Sequence, residues 1–224
     1  MEFEGMAFVA HFLREGDVFV DVGANVGVYS ILAASRGARV LALEPVPASY
    51  ERLLDNVHIN RFQEFVDARN IGAGAEGGTL RFSTNEDSTN HVLADDESCK
   101  HAVVVEVAPL DEIVQEATML KVDVEGYEAE VLKGAGELLS KESLRAVLVE
   151  LNGLGARYGF RDDEVRALLE ACGFEQVRYE PFSRSLERTR RHYGSDNVLY
   201  VRNLEGARLR VKQAPVLRWK GIEI

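Results

Sequence analysis

Two clusters of residues in this 224-residue chain have types and spacings that could do chemistry. The first is Asp21-Val22-Gly23-Ala24-Asn25-Val26-Gly27, which follows directly on a β-rich apolar run and is paired with Glu44 in Leu43-Glu44-Pro45 at the end of the next such run. The second is Lys121-Val122-Asp123-Val124-Glu125-Gly126-Tyr127-Glu128. In open α/β sheets ligands bind beyond the carboxyl ends of the strands, at the switch in strand order, which is where both clusters fall in the reading below.

The first cluster reads as a nucleoside site. Gly23 and Gly27 let the backbone turn tightly and approach a ligand, and the free amides of the following helix can receive a carboxylate. The pattern is D-x-G-x-x-x-G, not the G-x-G-x-x-G of dinucleotide-binding turns. A carboxylate at Asp21 repels a pyrophosphate and suits a ligand with ammonium and sulfonium centres, as in S-adenosylmethionine. Glu44 can accept two hydrogen bonds from a ribose diol. Nicotinamide enzymes use the same device, so the glycine pattern, not Glu44, chooses between cofactors. The competing reading makes Asp21 and Glu44 strand-end caps. Asn70 and Ile71, with Gly72, are candidates for the adenine end, an amide for the ring edge and an aliphatic side chain for its face; the alternative is a plain strand end. Asn25, and Asp123 of the second cluster, complete the cofactor set.

In a strand, positions 121, 123 and 125 share one face. A lysine and two carboxylates are costly to bury unless paired, and central parallel strands are normally apolar, so these residues belong in a cleft or on a solvated ladder. Asp123 is the first candidate for a base that takes a proton from an acceptor, with Glu125 and Glu150 next. His91, in the polar run Asp87-Ser88-Thr89-Asn90-His91, is a weaker candidate, since a lone loop histidine is more often only solvated. Asp123, Glu150 and Asn152 also offer oxygen ligands at neighbouring strand ends that could hold a divalent cation; no metal is expected.

The elements needed to position these groups can be read along the chain. Helical spacing covers 2–14, 26–36, 47–60, 109–116, 127–139 and 162–172, with a break in the fifth near Gly134 and Gly136. Strand patterns cover 18–22, 39–43, 65–70, 79–83, 101–107, 119–124, 144–151, 174–179 and 197–201. Strands alternating with helices predict a mostly parallel sheet covered on both faces. The last two strands lack a crossover helix between them, which permits an antiparallel final pair. Two polar connections, 85–94 and 182–197, are expected to shape an acceptor pocket, with His192 and Tyr193 either packing on a sugar ring or anchoring their loop.

The segments DVGANVG…LEP and LKVDVEGYEAEVLKGA together resemble the FkbM-type methyltransferases, as do Pro109-Leu110-Asp111-Glu112-Ile113, Glu150 and Asn197. The resemblance covers about residues 2–203. It implies an α/β class I methyltransferase (Rossmann-like) three-layer sandwich, with a mostly parallel seven-stranded sheet and an antiparallel last strand. It also implies S-adenosyl-L-methionine as cofactor and methyl transfer to an acceptor oxygen, often on a sugar or natural product; some relatives methylate peptide side-chain amides. Pro109 stands where the family usually has threonine, a change expected to act locally. The family does not require a metal.

Composition narrows the partners. The chain carries 26 Lys and Arg against 37 Asp and Glu, a net charge of −11, which argues against gripping a nucleic-acid backbone. A local exception is the basic run Arg184, Arg188, Arg190, Arg191, Arg208, Arg210, Lys212, Arg218 and Lys220, either a solvated surface or a contact for an anionic substrate or carrier. No apolar run approaches a membrane span, and Glu2 and Glu4 do not suit a secretory signal, so a cytoplasmic enzyme is expected. Cys99 and Cys172 lack metal-type spacing, and a disulfide is not expected. The expected organisation is one domain over 1–203 with a C-terminal extension over 204–224, acting on a small-molecule, glycan or peptide acceptor. Other readings fare worse. A non-catalytic binding domain has no need of the charged strand, a nicotinamide dehydrogenase lacks its glycines, and an adenine methyltransferase lacks an Asn/Asp-Pro-Pro-Tyr/Phe segment.

Overall fold

The structure, a computed structural model, describes residues 3–84, 90–94, 97, 99–190 and 197–216, with backbone alone at 218–219 and 222–223. The chain opens with α1 (Phe3–Phe12), β1 (Val18–Val22), α2 (Val28–Ser35), β2 (Arg39–Leu43), α3 (Pro47–Ile59) and β3 (Val66–Arg69). Three strands then leave the main sheet: β4 (Gly72–Ala73), β5 (Gly78–Ser83) and β6 (Ala102–Ala108). The second half runs α4 (Leu110–Ile113), β7 (Met119–Val122), α5 (Glu128–Lys133), α6 (Gly136–Ser140), β8 (Ala146–Glu150), a 3-10 turn (Leu154–Tyr158) and α7 (Asp162–Ala171). It closes with β9 (Glu175–Glu180), β10 (Ser185–Arg188), β11 (Asn197–Val201), α8 (Leu204–Lys212) and a small hairpin of β12 (Arg218–Trp219) and β13 (Ile222–Glu223).

The main sheet has the order β10-β9-β11-β8-β7-β1-β2-β3. Strands β3, β2, β1, β7 and β8 are parallel, and β11 runs antiparallel between β8 and β9. The sheet and its reversed last strand are those expected of a class I methyltransferase. The strand number is eight, not seven, because β10 turns back on β9 and adds an outer edge. Ser185-Leu186-Glu187-Arg188 buries only Leu186, too little alternation to announce a strand.

Parallel strands covered on both faces need apolar side chains at nearly every position. Strand β1 shows this directly. Phe19 packs with Phe8 and Phe12 of α1 and Leu53 of α3, while Val20 and Val22 pack with Leu132 of α5 and Leu138 of α6. Asp21 and Lys121, register partners on β1 and β7, are buried exceptions in this apolar sheet.

The strands read at 79–83 and 101–107 pair as β5 and β6, and with the two-residue β4 they make a small sheet of order β4-β6-β5, whose Phe82, Val105 and Val107 form their own core with Val92 and Val46. The Leu-Asp-Glu motif acts locally. Both carboxylate oxygens of Asp111 accept from the backbone amides of Glu137 and Leu138, each at 2.8 Å, at the start of α6. Cys99 and Cys172 are free thiols. Among the described residues no helix is long and apolar enough to cross a membrane.

The residues read as an extension begin with α8, which is packed into the domain. Its Leu204, Ala207 and Val211 join the α1 side of the core. Arg210 is buried, donates from Nε to the Phe12 carbonyl at 2.6 Å and pairs through Nη2 with Asp17, also buried. Its guanidinium lies 4.8 Å from the Phe12 ring centroid. Removing one partner of such a pair leaves the other charge stranded. Arg210→Ala is therefore expected to cost about 3 kcal/mol of stability, on the scale of broken buried pairs. Urea unfolding would show it, and an unchanged midpoint would mean that the pair does not hold α8 in place.

Candidate active site

A cleft of about 390 Å³ opens at the carboxyl ends of the central strands, and its wall includes Gly23, Asn25, Glu44, Asp123, Glu125 and Glu150. The turn after β1 builds one side. Gly23 has φ 77°, and a Cβ there would lie 1.8 Å from the Asp123 carbonyl oxygen. Gly27 has φ 86°, and a Cβ there would reach within 2.3 Å of Leu53 Cδ1. Both positions therefore demand glycine, the first to bring the β1 and β7 loops together, the second to seat α2 on α3. Asn25, at φ 49°, adopts the left-handed conformation that asparagine tolerates better than most residues.

Glu44 locks this turn to the end of β2. Its Oε2 accepts from the Asn25 amide and its Oε1 from the Val46 amide, both at 2.8 Å. Burial outweighs these bonds and pushes the Glu44 pKa up to about 7. Each carboxylate oxygen has a second lone-pair direction, so two backbone bonds leave acceptor capacity for a diol.

Asp21 does not line the cleft; it lies behind it, 1% exposed, with Oδ2 accepting from Ser30 Oγ at 2.7 Å. Its Oδ1 is buried with no hydrogen-bond partner among the described residues. Burial raises its pKa, and the Lys121 ammonium pulls it back down. Lys121 is itself buried, donates to Asp123 Oδ2 at 2.8 Å and stands 4.8 Å from the Tyr29 ring centroid.

The second motif is a strand end followed by a sharp turn. Strand β7 stops at Val122, and Glu125 (φ 55°) and Gly126 (φ 106°) are left-handed. Alternation along a strand thus does not extend to Glu125, and the turn carries it to the cleft instead. Glu128 supports the turn, its Oε1 accepting from the Val124 and Gly126 amides at 3.1 Å each. Burial pushes its pKa up to about 7. Sequence reasoning assigned Glu128 no role; a carboxylate two residues after a glycine in an E-G-x-E run is the signal of such a turn-closing contact.

Asp123, Glu125 and Glu150 converge, with one oxygen from each lying within 4.8 Å of the others. Burial, then the charges of Asp123, Glu125 and Glu128, push the Glu150 pKa up to about 8. Asn152 stands behind this group: its Nδ2 donates to Glu150 Oε2 at 3.0 Å and its Oδ1 accepts from the Leu154 amide at 3.0 Å. The oxygen cluster a cation could find is accordingly Asp123, Glu125 and Glu150, because the Asn152 oxygen is already engaged.

The other sequence candidates divide. Asn70 spends its amide on the chain, Nδ2 donating to the carbonyls of Glu44 (2.8 Å) and Pro45 (2.9 Å), and so fixes the Glu44 loop. Ile71 lines an adjoining apolar recess with Pro45, Phe82 and Val124. His91 is buried, not solvated: its Nε2 lies 3.0 Å from Glu97 Oε1, and its backbone amide donates to Ser83 Oγ. Its neighbour Asn90 and Phe82 line the cleft. His192 and Tyr193 lie outside the described residues. Asn90 belongs to the connection 85–94 expected at the acceptor pocket, whereas Tyr29 and Phe82 are wall residues that nothing in their spacing marks.

Known proteins resemble this chain in sequence and in fold. The profile of the family described as "Methyltransferase FkbM domain" matches residues 21–175. The chain is 31% identical over 146 residues to the hexuronic acid methyltransferase AglP of Haloferax volcanii, covering 62% of this chain and 57% of that protein. It is 27% identical over 202 residues to the 31-O-demethyl-FK506 methyltransferase FkbM of Streptomyces tacrolimicus, covering 74% of this chain and 75% of that protein. Its fold is similar to the crystal structure of methyltransferase FkbM from Methylobacillus flagellatus KT, with a TM-score of 0.53 and 20% identity over 83% of this chain and 43% of that one. The chain thus spans a little over half the length of its Haloferax relative.

Family and fold imply S-adenosylmethionine as methyl donor, and the residues present fit it. The Gly23 cradle is one that a Cβ would fill, Asp123 brings a carboxyl to the cleft wall for a cationic ligand, and Glu44 stands at the end of β2 for a ribose.

Three carboxyls held above their unfolded values give a pH dependence. Glu44, Glu128 and Glu150 bind protons more tightly when the chain is folded, so the ligand-free protein should lose stability as pH rises from about 4.5 to about 8. Urea midpoints across that range, with Glu44→Gln as the variant that flattens part of the slope, check the expectation; a midpoint rising over the same range would contradict it. By the match over residues 21–175, the chain belongs to the FkbM methyltransferase domain family.

Proposed function

We propose that the enzyme methylates a hydroxyl oxygen on a sugar, glycan or natural product. The observation that carries this reading is the convergence of Asp123, Glu125 and Glu150 at the cleft wall beside the glycine turn. A hydroxyl is a poor nucleophile until its proton is taken, and these carboxyls provide a place for that proton. The printed names of the Haloferax and Streptomyces relatives, a hexuronic acid and a 31-O-demethyl macrolide enzyme, support an oxygen acceptor. The net charge of −11 supports an acceptor other than nucleic acid.

When bound, S-adenosylmethionine supplies an electrophilic methyl group on a positively charged sulfur. Glu44 holds the ribose end, the Gly23–Gly27 turn admits the ligand against bare backbone, and Asn70 keeps the Glu44 loop in place. Much of the acceleration comes from holding acceptor and donor in contact, which this rigid wall provides. Lys121 fixes the Asp123 carboxyl by donating to its Oδ2 at 2.8 Å, which leaves Oδ1 to accept a hydrogen bond from the acceptor hydroxyl. Glu150, the partner pushed up to about 8, gives the group a proton-binding strength close to working pH, which is where a general base is most effective. Glu125 and Glu150 are both held above the ordinary carboxylate range by burial and by neighbouring charge, and they form the set over which the proton is shared.

Turnover is expected to rise with pH through about 8 as the set loses its shared proton. Asp123→Asn should lower kcat by about 100-fold or more, the scale of a lost general base, with donor affinity changed far less. Glu150→Gln should remove the step in the pH profile. Calorimetry for the donor and methyl-transfer rates on a panel of hydroxylated sugars and macrolides would measure these. The site of methylation, read by NMR with a labelled methyl group, decides the acceptor: a product methylated on a side-chain amide nitrogen would overturn the oxygen assignment, and an Asp123→Asn enzyme with full turnover would remove Asp123 as the base.

A further inference from the structure

A second recess lies at the opposite end of the sheet. It has a volume of about 680 Å³, larger than the active cleft, and four arginines line it: Arg14, Arg145, Arg202 and Arg210. Their places in the fold are unrelated in sequence. Arg14 precedes β1, Arg145 precedes β8, Arg202 follows the antiparallel β11, and Arg210 is on α8. The register of β11 on β8, with Val201 opposite Ala146, brings Arg202 and Arg145 to the same amino-terminal edge of the parallel strands.

The charge here is not balanced. Arg210 has Asp17 as partner. Arg202 donates through Nε and Nη2 to the carbonyls of Leu144 and Leu139, neutral acceptors that leave its charge uncompensated. The side chains of Arg14 and Arg145 are exposed and make no ion pair with the described residues. The one carboxylate in the lining is Glu142. The convergence is close enough that Arg14 and Arg145 each disfavour the charge on Arg210. In a chain of net charge −11, a recess whose like charges repel one another is a costly arrangement that an anion would relieve. Guanidinium groups with free donors are also the side chains best suited to phosphate oxygens, which they bind in pairs.

We propose that this recess is a second ligand site, distinct from the methyl-transfer cleft, for a phosphate or diphosphate group. Arg14 and Arg145 bind the anion directly, and Arg202, held by the Leu139 and Leu144 carbonyls, adds its uncompensated charge beneath them, beside the Arg210–Asp17 pair. The recess is larger than a free phosphate needs, so the group can come either as inorganic diphosphate or as a phosphate carried on a small molecule.

The test is titration calorimetry of the whole chain in low-salt buffer, with inorganic pyrophosphate in one arm and glucose 1-phosphate in the other, each against sodium chloride at matched ionic strength. Saturable binding of at least one probe is expected. The tighter arm identifies the source, and the double variant Arg14→Ala/Arg145→Ala should weaken that binding at least tenfold. Both residues are exposed, so the variant should fold, and unchanged circular dichroism and unchanged S-adenosylmethionine affinity would establish that it does. No binding of either probe beyond chloride, or equal binding by the variant, overturns the proposal; neither result bears on the methyl-transfer reading. If the double variant fails to fold, charge reversal at Arg145 alone (Arg145→Glu) with the same readout decides it.

Discussion

The buried ammonium of Lys121 is the charge on which the cleft depends. It sits in the middle of the sheet between Asp21, its register partner, and Asp123, 2.8 Å from its Nζ. Two carboxyls so close together at the strand ends are costly to bury without a partner. The lysine is that partner: it holds Asp123 by a direct hydrogen bond and offsets part of the burial that raises the Asp21 pKa. A buried pair of this kind gives little net stability, because removing charges from water costs about as much as their attraction returns. Its presence in an otherwise apolar β7 therefore points to function more than to folding.

Around this charge the cleft is assembled mostly by carboxyl groups that bind backbone. Glu44 ties the glycine turn to β2, Glu128 closes the turn after β7, and Asp111 starts α6. These acids take the place that amide or hydroxyl caps fill elsewhere, and at the same time they make the region acidic. The consequence is a wall whose side chains are fixed before any ligand arrives, which is what a reaction governed by positioning needs. Among the described residues, Glu125 and Glu150 share the site without such backbone anchors.

The sequence made some of this plain and hid the rest for physical reasons. Asp21, Gly23, Gly27 and Glu44 were legible because a strand end followed by glycines has few uses in an α/β sheet. The charged positions 121, 123 and 125 were legible as a cleft or a solvated ladder, whereas the burial of Lys121 against Asp123 was not, because it depends on the register of β7 on β1. Glu125 was placed correctly in the cleft by the wrong geometry: strand alternation was expected, and a left-handed turn delivered it. Asn70 looked free to meet a base because its sequence context does not reveal two carbonyls within reach of its amide. His91 looked solvated because its burial comes from the pairing of β5 with β6 and from Glu97, contacts set by tertiary structure. Helix α8 went unread since its apolar positions are few and find their partners on α1, at the other end of the chain.

That last contact bears on how the protein is made. The Asp17 carboxylate and the Phe12 carbonyl emerge early in synthesis, whereas Arg210 follows 193 and 198 residues later. Until it arrives, α1 has an exposed apolar flank and an unmatched buried-to-be charge, while the glycine turn and β2 can already pair. The domain therefore closes around its first helix last. Such long-range closure slows folding and exposes apolar surface in the interim, so production of the chain is expected to be more sensitive to truncation at its end than to changes in its loops.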